Sequence, residues 1–191
     1  MEYNDGGMKM NDFYTLTVAN VKRELPIIQI NDDLAIASFV ILGDTEMVCA
    51  AAKELAKKIP EVDILITAEA KGIPLVFEIS RIRGHQKYIV ARKSIKAYMD
   101  EPLINEVESI TTQKKQFLCL DSTDVEKIQG KRVAIIDDVI STGDSIRAVD
   151  ELVTKAGGRV IAKAAILAEG DAANRDDIIF LEKLPLFPFQ K

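Results

Sequence analysis

Two adjacent acids, Asp137 and Asp138, end a short apolar run and precede a turn of small polar residues. The run at 133–136 has the composition of a buried parallel strand. The turn consists of Ser141, Thr142, Gly143, Asp144 and Ser145. Backbone N–H groups at a helix start bind phosphate, and paired carboxylates suit ribose hydroxyls or hydrated Mg²⁺. The segment predicts a site for a ligand with ribose, phosphate and metal, although an ordinary strand-turn-helix would have similar acids.

A second loop of the same physical kind follows the apolar segment 62–67 and precedes another predicted helix. It contains Glu69, Ala70, Lys71 and Gly72. Lys71 supplies a positive charge, and Gly72 lets the backbone approach a ligand closely. Taken alone, this loop is equally compatible with a plain strand-to-helix turn.

A third group of candidate residues is basic and follows the predicted strand at 87–91. Its members are Arg92, Lys93 and Lys96. They suit a polyphosphate, but a solvated basic loop would have the same composition. The long charged region 92–115 has no clear period, which fits either a lid over a site or an antiparallel excursion.

Strand and helix patterns alternate along the chain, which predicts an α/β fold with an open parallel sheet flanked by helices. Helices are expected over 45–59, 73–82 and 144–156, the first with Asp44 as its N-cap. Strands are expected over 13–21, 25–30, 62–67, 87–91, 116–120, 133–136 and 160–168, with a last one inside 176–189. Residues 1–12 are polar and are expected to be disordered, so that 13–191 form a single domain.

Bulk properties exclude several classes of protein. The 191 residues carry a formal net charge of −5, which argues against a nucleic-acid binder. The start of the chain lacks the pattern of a secretory signal, and the apolar run 34–42 is too short to span a membrane. The two cysteines, Cys49 and Cys119, are expected to be buried apolar residues in a reduced, cytoplasmic protein.

The acid pair and the turn after it resemble the motif of the type I phosphoribosyltransferases, which bind phosphoribosyl pyrophosphate (PRPP). Within this family the chain is most similar to adenine phosphoribosyltransferases. It is also similar to xanthine phosphoribosyltransferases and to the PRPP-binding domain of purine operon repressors. The resemblance implies that Asp137 and Asp138 contact the ribose hydroxyls and that residues 141–145 hold the 5′-phosphate. Asp144 stands where relatives often carry Gly or Lys, so its carboxylate is expected to point away from the phosphate.

The other two loops resemble further parts of the same family. Residues 69–72 are similar to the pyrophosphate loop of adenine enzymes, with Lys71 in place of Arg. Residues 92–96 resemble the basic segment that opens a mobile catalytic loop, here 92–115. The resemblance implies Asp137, Asp138, Lys71 and Arg92 as catalytic residues. It also implies Mg²⁺ as a cofactor, which would reach the acid pair indirectly with PRPP.

The family implies a small hood above the sheet, built here from about 13–42 and the C-terminal tail. It implies transfer of a phosphoribosyl group from PRPP to a purine base by a homodimer that binds no nucleic acid or membrane. Ser141 replaces the aspartate that hypoxanthine-guanine enzymes carry at this position, and both the adenine and the bacterial xanthine types have a small residue there. The segment 90–93 resembles the xanthine type equally well, but the tail resembles the adenine type, so adenine is the predicted base. Phe39 and Phe187 could stack on the base, but core positions suit them better.

One alternative from another class stays open. The run Lys71-Gly72-Ile73-Pro74 is similar to a loop of the purine operon regulators, which sense PRPP without catalysis. Those regulators carry a DNA-binding module before the sheet domain, and the sequence ahead of residue 62 is expected to be too short for it. A relative that binds a nucleotide without turnover is the other alternative.

Overall fold

The structure is a computed structural model that describes residues 13–107 and 116–188. Its strands are β1 (Phe13–Val18), β2 (Val21–Asn31), β3 (Leu34–Ala37), β4 (Ile64–Ala68), β5 (Ile89–Ala91), β6 (Leu103–Val107), β7 (Gln116–Leu120), β8 (Arg132–Ile140), β9 (Arg159–Glu169), β10 (Ile179–Leu184) and β11 (Leu186–Pro188). Its helices are α1 (Thr45–Lys58), α2 (Ile73–Arg83), α3 (Ser122–Ile128) and α4 (Asp144–Lys155). A 3₁₀ turn covers Gly170–Asn174.

Five strands form a parallel sheet in the order β10-β9-β8-β4-β5, which confirms the predicted fold class. The central strand β8 has apolar residues on both faces because helices cover both sides. Helices α1 and α2 pack on one face and α4 on the other. The motif residues therefore stand near the end of the central strand of the sheet.

A second, antiparallel sheet in the order β1-β2-β3-β11 lies on the α1 side of the molecule. It joins the two segments that the sequence analysis assigned to the hood. The strand predicted over 13–21 is two strands, because Ala19 and Asn20 have positive φ and form a tight hairpin turn. Neither residue is glycine, so the pattern of side chains gave no signal for that turn. Residues 1–12 lie outside the described part of the chain.

The helices begin and end close to their predicted positions because their caps are explicit in the sequence. Asp44 accepts a hydrogen bond from the Met47 N–H at 3.1 Å at the start of α1. Pro74 stands in the first turn of α2, and Gly84 ends that helix with a φ of 73°. Helix α3 was not predicted, since its seven residues, about two turns, have too few apolar positions to show a period.

The segment between β5 and α3 differs from the prediction. Strand β7 pairs with β6 in a separate antiparallel sheet and reaches the parallel sheet through a bridge from Cys119 to Arg92. Asn105 of β6 is buried and donates hydrogen bonds to Ala148 O at 3.2 Å and to Glu151 at 2.8 Å. Part of the predicted lid is therefore a strand bound to α4. Residues 92–102 of the predicted lid form no helix or strand apart from the bridge at Arg92, and residues 108–115 lie outside the described part of the chain.

The prediction for Cys49 was wrong, because this thiol is exposed whereas Cys119 is buried. The buried stripe of α1 consists of Met47, Val48, Ala51, Ala52 and Leu55. Cys49 follows Val48 directly, and one further residue rotates a side chain off a helical stripe toward solvent. Phe39 is a core residue, as expected.

Candidate active site

Three loops meet at one edge of the parallel sheet, since parallel strands that lie side by side end at the same edge. Residues 69–72 follow β4, residues 92–96 follow β5, and residues 141–143 follow β8. Strand β4 lies between β5 and β8, so its loop lies between the other two. The structure thereby brings the three groups of predicted site residues together.

The acid pair, Asp137 and Asp138, lies near the end of β8, and its two carboxylates repel each other. Asp138 is only 3% exposed, and its backbone N–H donates to Asp137 Oδ1 at 2.9 Å. Burial, and then the negative charge of Asp138, raise the pKa of Asp137 well above its ordinary value. A ligand that donates hydroxyl hydrogen bonds or brings a cation to these carboxylates relieves this repulsion.

Lys71 joins the second loop to the acid pair. Its Nζ lies 2.9 Å from Asp138 Oδ2, and that oxygen accepts no geometrically proper hydrogen bond from the described residues. Gly72 is required for this approach, because a Cβ there would lie 2.1 Å from Thr67 Oγ1 and 3.2 Å from Ile136 O. Lys71 is 47% exposed at its side chain, so the ammonium can also face a ligand in the open loop.

Glu69 organises the basic group rather than facing a ligand alone. It accepts a hydrogen bond from the Lys93 N–H at 3.0 Å, and its Oε1 lies 3.3 Å from an Arg92 nitrogen. The Lys93 N–H, followed by the charges of Arg92 and Lys96, holds the pKa of Glu69 below its ordinary value. Through these contacts the charged Glu69 fixes Arg92 beside the loop 69–72. The peptide bond between Glu69 and Ala70 is cis.

The turn after β8 presents backbone N–H groups at the start of α4. Gly143 has a φ of 84°, which favours glycine, and no side chain caps the helix. The Asp144 carboxylate accepts from Thr142 Oγ1 at 2.8 Å and from Arg147 at 2.6 Å. These contacts give the Asp144 carboxylate its own partners, a hydroxyl and a guanidinium. Ser141 and Ser145 are exposed beside it.

A further cation, Arg175, lies against this turn and was not predicted. A Cβ on Gly143 would be 2.5 Å from Arg175 NH1, so the guanidinium covers the backbone of the turn. Its Nε and NH2 donate to the two carboxylate oxygens of Asp177, both at 2.8 Å. NH1 is left to face the turn. No spacing in the sequence connects Arg175 with residues more than one strand and one helix away.

A cleft of about 220 Å³ lies between the turn and the hood sheet. It is lined by Ala37, Phe39, Lys71, Val139, Ser141, Glu169 and Leu184. Sites for drug-sized ligands measure roughly 300–1,000 Å³, so this cleft suits a fragment such as one planar base. The cleft adjoins both the loop 69–72, the Lys71 loop, and the turn 141–145, named the phosphate turn after its predicted ligand.

Comparison with known proteins decides the family. Residues 41–186 match the phosphoribosyl transferase domain, and this range contains all three loops. The chain belongs to the phosphoribosyl transferase domain family. The resemblance of the acid pair and the turn after it to the phosphoribosyltransferases is thereby confirmed.

The relatives of this phosphoribosyl transferase domain differ between sequence and structure. A hypoxanthine/guanine phosphoribosyltransferase of Methanococcus voltae is 36% identical over 114 residues, which are 60% of this chain and 57% of that protein. One of Methanotorris igneus is 34% identical over 110 residues, 58% of this chain and 56% of that protein. The chain therefore spans somewhat over half the length of these curated relatives.

Solved structures with the same fold include the adenine phosphoribosyltransferase of Thermoanaerobacter pseudethanolicus. It has a TM-score of 0.62 and 22% identity, and the match covers 90% of this chain and 95% of that one. The enzyme of Rhodothermus marinus has a TM-score of 0.61 and 19% identity, with 91% and 94% covered. At this identity the likeness shows the fold.

The acid pair fits a magnesium ion that arrives together with a diphosphate. Asp138 Oδ2 is buried and lies 2.9 Å from the Lys71 ammonium, and Asp137 is adjacent. Within residues 13–107 and 116–188, no cluster of three or more His, Cys, Asp or Glu side chains could hold a metal ion. Mg²⁺ is often held by one or two carboxylates, water and substrate phosphates, which agrees with this donor set.

No helix in the described part of the chain is long and apolar enough to cross a membrane.

Proposed function

We propose that the protein is a Mg²⁺-dependent purine phosphoribosyltransferase, which transfers the phosphoribosyl group of PRPP to a purine base. The products are a nucleoside 5′-monophosphate and pyrophosphate. The observation that carries this proposal is the convergence of the acid pair, two cationic loops and a phosphate turn beside a base-sized cleft. Each part of PRPP and of the base has one matching group at this edge.

Four groups would divide the binding of PRPP between them. The 5′-phosphate would lie on the turn 141–145, where the start of α4 offers free N–H groups. The ribose hydroxyls would donate to Asp137 and Asp138. The pyrophosphate would lie on the loop 69–72, with Lys71 and Arg92 facing it. Lys93 and Lys96 would add positive charge from the rim of the same site.

Cleavage of the bond between C1 and the pyrophosphate oxygen leaves positive charge on the sugar and sends the electron pair to the oxygen. Lys71 and Arg92 stabilise the negative charge that develops on the pyrophosphate. When bound with PRPP beside Asp137 and Asp138, Mg²⁺ neutralises part of the same charge. A ring nitrogen of the base forms the new bond to C1 from the cleft and releases its proton to solvent. This course needs no covalent intermediate on the protein.

The predicted base is adenine, and two observations bear on it differently. Ser141 lacks a carboxylate, which supports adenine or xanthine over hypoxanthine and guanine by the family pattern. The sequence relatives, however, are named hypoxanthine/guanine enzymes. The base is therefore best identified by direct comparison. A homodimer and a cytoplasmic location are further expectations from the family.

The test is a pyrophosphate-release assay with PRPP and Mg²⁺, run separately with adenine, guanine, hypoxanthine, xanthine, uracil and orotate. We expect release with at least one purine and none with either pyrimidine. Omission of PRPP or addition of a chelator is the control. Calorimetric titration with PRPP runs in parallel.

Three results would contradict the proposal. Release only with a pyrimidine would replace the purine assignment. Binding of PRPP without release for any base would make the protein a sensor, as in the purine operon regulators. Absence of both binding and release would refute the assignment of the site itself.

A further inference from the structure

The cleft under the hood contains a carboxylate that the binding of PRPP does not use. Glu169 is the last residue of β9, is half-buried and lines the cleft. Its side chain has no ion pair or hydrogen bond to any residue in 13–107 or 116–188. Because the Glu169 carboxylate lines a small cleft and has no such partner, it is available to a ligand.

Strand register fixes the position of Glu169 in the site. Ala168 pairs with Ile140 of β8, so Glu169 lies next to Ser141, the first residue of the phosphate turn. On its other side Glu169 pairs with Leu184 of β10. Leu184 belongs to the core on the hood side, whereas Ala168 faces the opposite core, so Glu169 points toward the hood. The carboxylate therefore stands where the cleft adjoins the turn.

The other walls of the cleft suit a planar ring. Ala37, Phe39 and Leu184 are buried apolar residues, and Val139 is partly buried. Lys71 and Ser141 complete the lining at the edge where the cleft adjoins the two loops, and under the proposed function these loops face the pyrophosphate and the 5′-phosphate. The hood side is thus the space in which a base attached to C1 would lie, with its faces on apolar groups and one edge toward Glu169.

An ionised carboxylate accepts hydrogen bonds and donates none, so Glu169 distinguishes purines by their donors. Guanine presents N1–H and its 2-amino group side by side, and both can bond to the two oxygens of one carboxylate. Hypoxanthine offers N1–H alone. Adenine offers its 6-amino group beside a ring nitrogen that only accepts. Xanthine flanks N1–H with two carbonyl oxygens, which repel a carboxylate.

We infer that Glu169 selects the base by its hydrogen-bond donors and that guanine is the preferred acceptor. This inference rests on the proposed function and specifies the substrate of the same cleft. It departs from the adenine expected from the tail and from Ser141. Loss of one charge-assisted hydrogen bond lowers affinity by about 10- to 100-fold. That range is the discrimination expected between guanine and hypoxanthine.

The test compares GMP with IMP, which differ only by the 2-amino group. Calorimetry measures the Kd of GMP, IMP and AMP for the wild-type chain, for Glu169→Gln and Glu169→Ala, and for Glu126→Gln. Glu126 is an exposed residue of α3 and serves as the matched control. Wild type and the control should bind GMP at least about 10-fold more tightly than IMP. Both Glu169 variants should bind the two nucleotides within about 3-fold of each other.

Kinetics give a second readout, the ratio of kcat/KM for guanine over hypoxanthine, which should fall in the same two variants. Equal binding of GMP and IMP by wild type, or tighter binding of AMP than of GMP, would overturn the inference. An unchanged GMP preference in folded Glu169 variants would also overturn it. Even if this inference fails, pyrophosphate release with any purine would still support the proposed function. If no nucleotide binds and no base supports release, the proposed function fails instead.

Discussion

Asp138 connects two parts of the candidate site, since it belongs to the acid pair and also holds Lys71. We expect Asp138→Asn to lower kcat/KM of the proposed transfer by at least about 100-fold, because a neutral amide neither pairs with Lys71 nor accepts as strongly from ribose. The fold should persist, since Lys71 is half-exposed and can be solvated. The measurement is initial-rate pyrophosphate release, with circular dichroism to verify the fold.

Asp124→Asn is the matched control for this variant. Asp124 lies on α3 and pairs with Lys127 at 2.7 Å, away from the three loops. It should retain wild-type turnover. Turnover close to wild type in Asp138→Asn would remove the acid pair from the mechanism.

Arg175 is the residue for which the structure adds most to the sequence. Its NH1 faces the phosphate turn while Asp177 orients the rest of the guanidinium. A charge-assisted contact to phosphate is worth roughly 1.5–3 kcal/mol. We therefore expect Arg175→Ala to raise the Kd of PRPP by about 10-fold or more, measured by calorimetry at low salt.

Arg159→Ala provides the comparison for that prediction. Arg159 is exposed at the start of β9, at the end of the sheet opposite the phosphate turn. Its substitution by alanine removes the same positive charge as Arg175→Ala. An equal change in Kd for both variants would mean that Arg175 acts through net charge alone.

At the scale of elements, Asp44 ties the hood to the central domain. It caps α1, and its two oxygens accept from Arg23 of β2 at 2.8 and 2.9 Å. We expect Asp44→Ala to lower the free energy of unfolding by ~1–2 kcal/mol at pH 7, the usual cost of a lost cap. Urea unfolding measures it. Glu46→Ala, which removes an exposed partner of the same arginine, should cost less than about 0.5 kcal/mol.

The pH dependence of this effect has a definite sign. The hydrogen bonds from Arg23 hold the pKa of Asp44 below its ordinary value. The stabilisation is therefore present above about pH 4, where the unfolded carboxyl is ionised, and is lost as the pH falls further. The difference between wild type and Asp44→Ala should be smaller at pH 3 than at pH 7. A difference that grows on acidification would assign the effect to another group.

Elements whose signals are local were predicted well. The caps of α1 and α2 and the start of β8 need only neighbouring residues, so the sequence sufficed for them. The end of β8 was predicted too early, at 136, because the two acids interrupt the apolar run, whereas the strand continues through them to Ile140. The hairpin turn at Ala19 and the short α3 have no local composition that distinguishes them. The pairing of β6 with β7 depends on contacts with α4, which no periodicity reveals.

At the scale of the whole molecule, the residues proposed to bind PRPP could be predicted from local signals, whereas the residues of the proposed base cleft could not. The three loops each follow a strand that the pattern identifies, and parallel strands align their ends, so their meeting could be predicted. Glu169 and Arg175 reach the site through strand register and a 3₁₀ turn. Their roles depend on distances between segments that are far apart in the chain. Sequence reasoning therefore gave the reaction class more readily than the base.

The hood sheet contains strands from both ends of the described chain, because β11 pairs with β3. During synthesis the early strand leaves the ribosome long before its partner exists, and such a long-range pairing closes late. The phosphate turn and the Lys71 loop precede β11 in the chain and are synthesised before it. In a nascent chain the groups proposed to bind pyrophosphate would thus be synthesised first, and the hood wall of the proposed base cleft would be completed only when β11 pairs with β3.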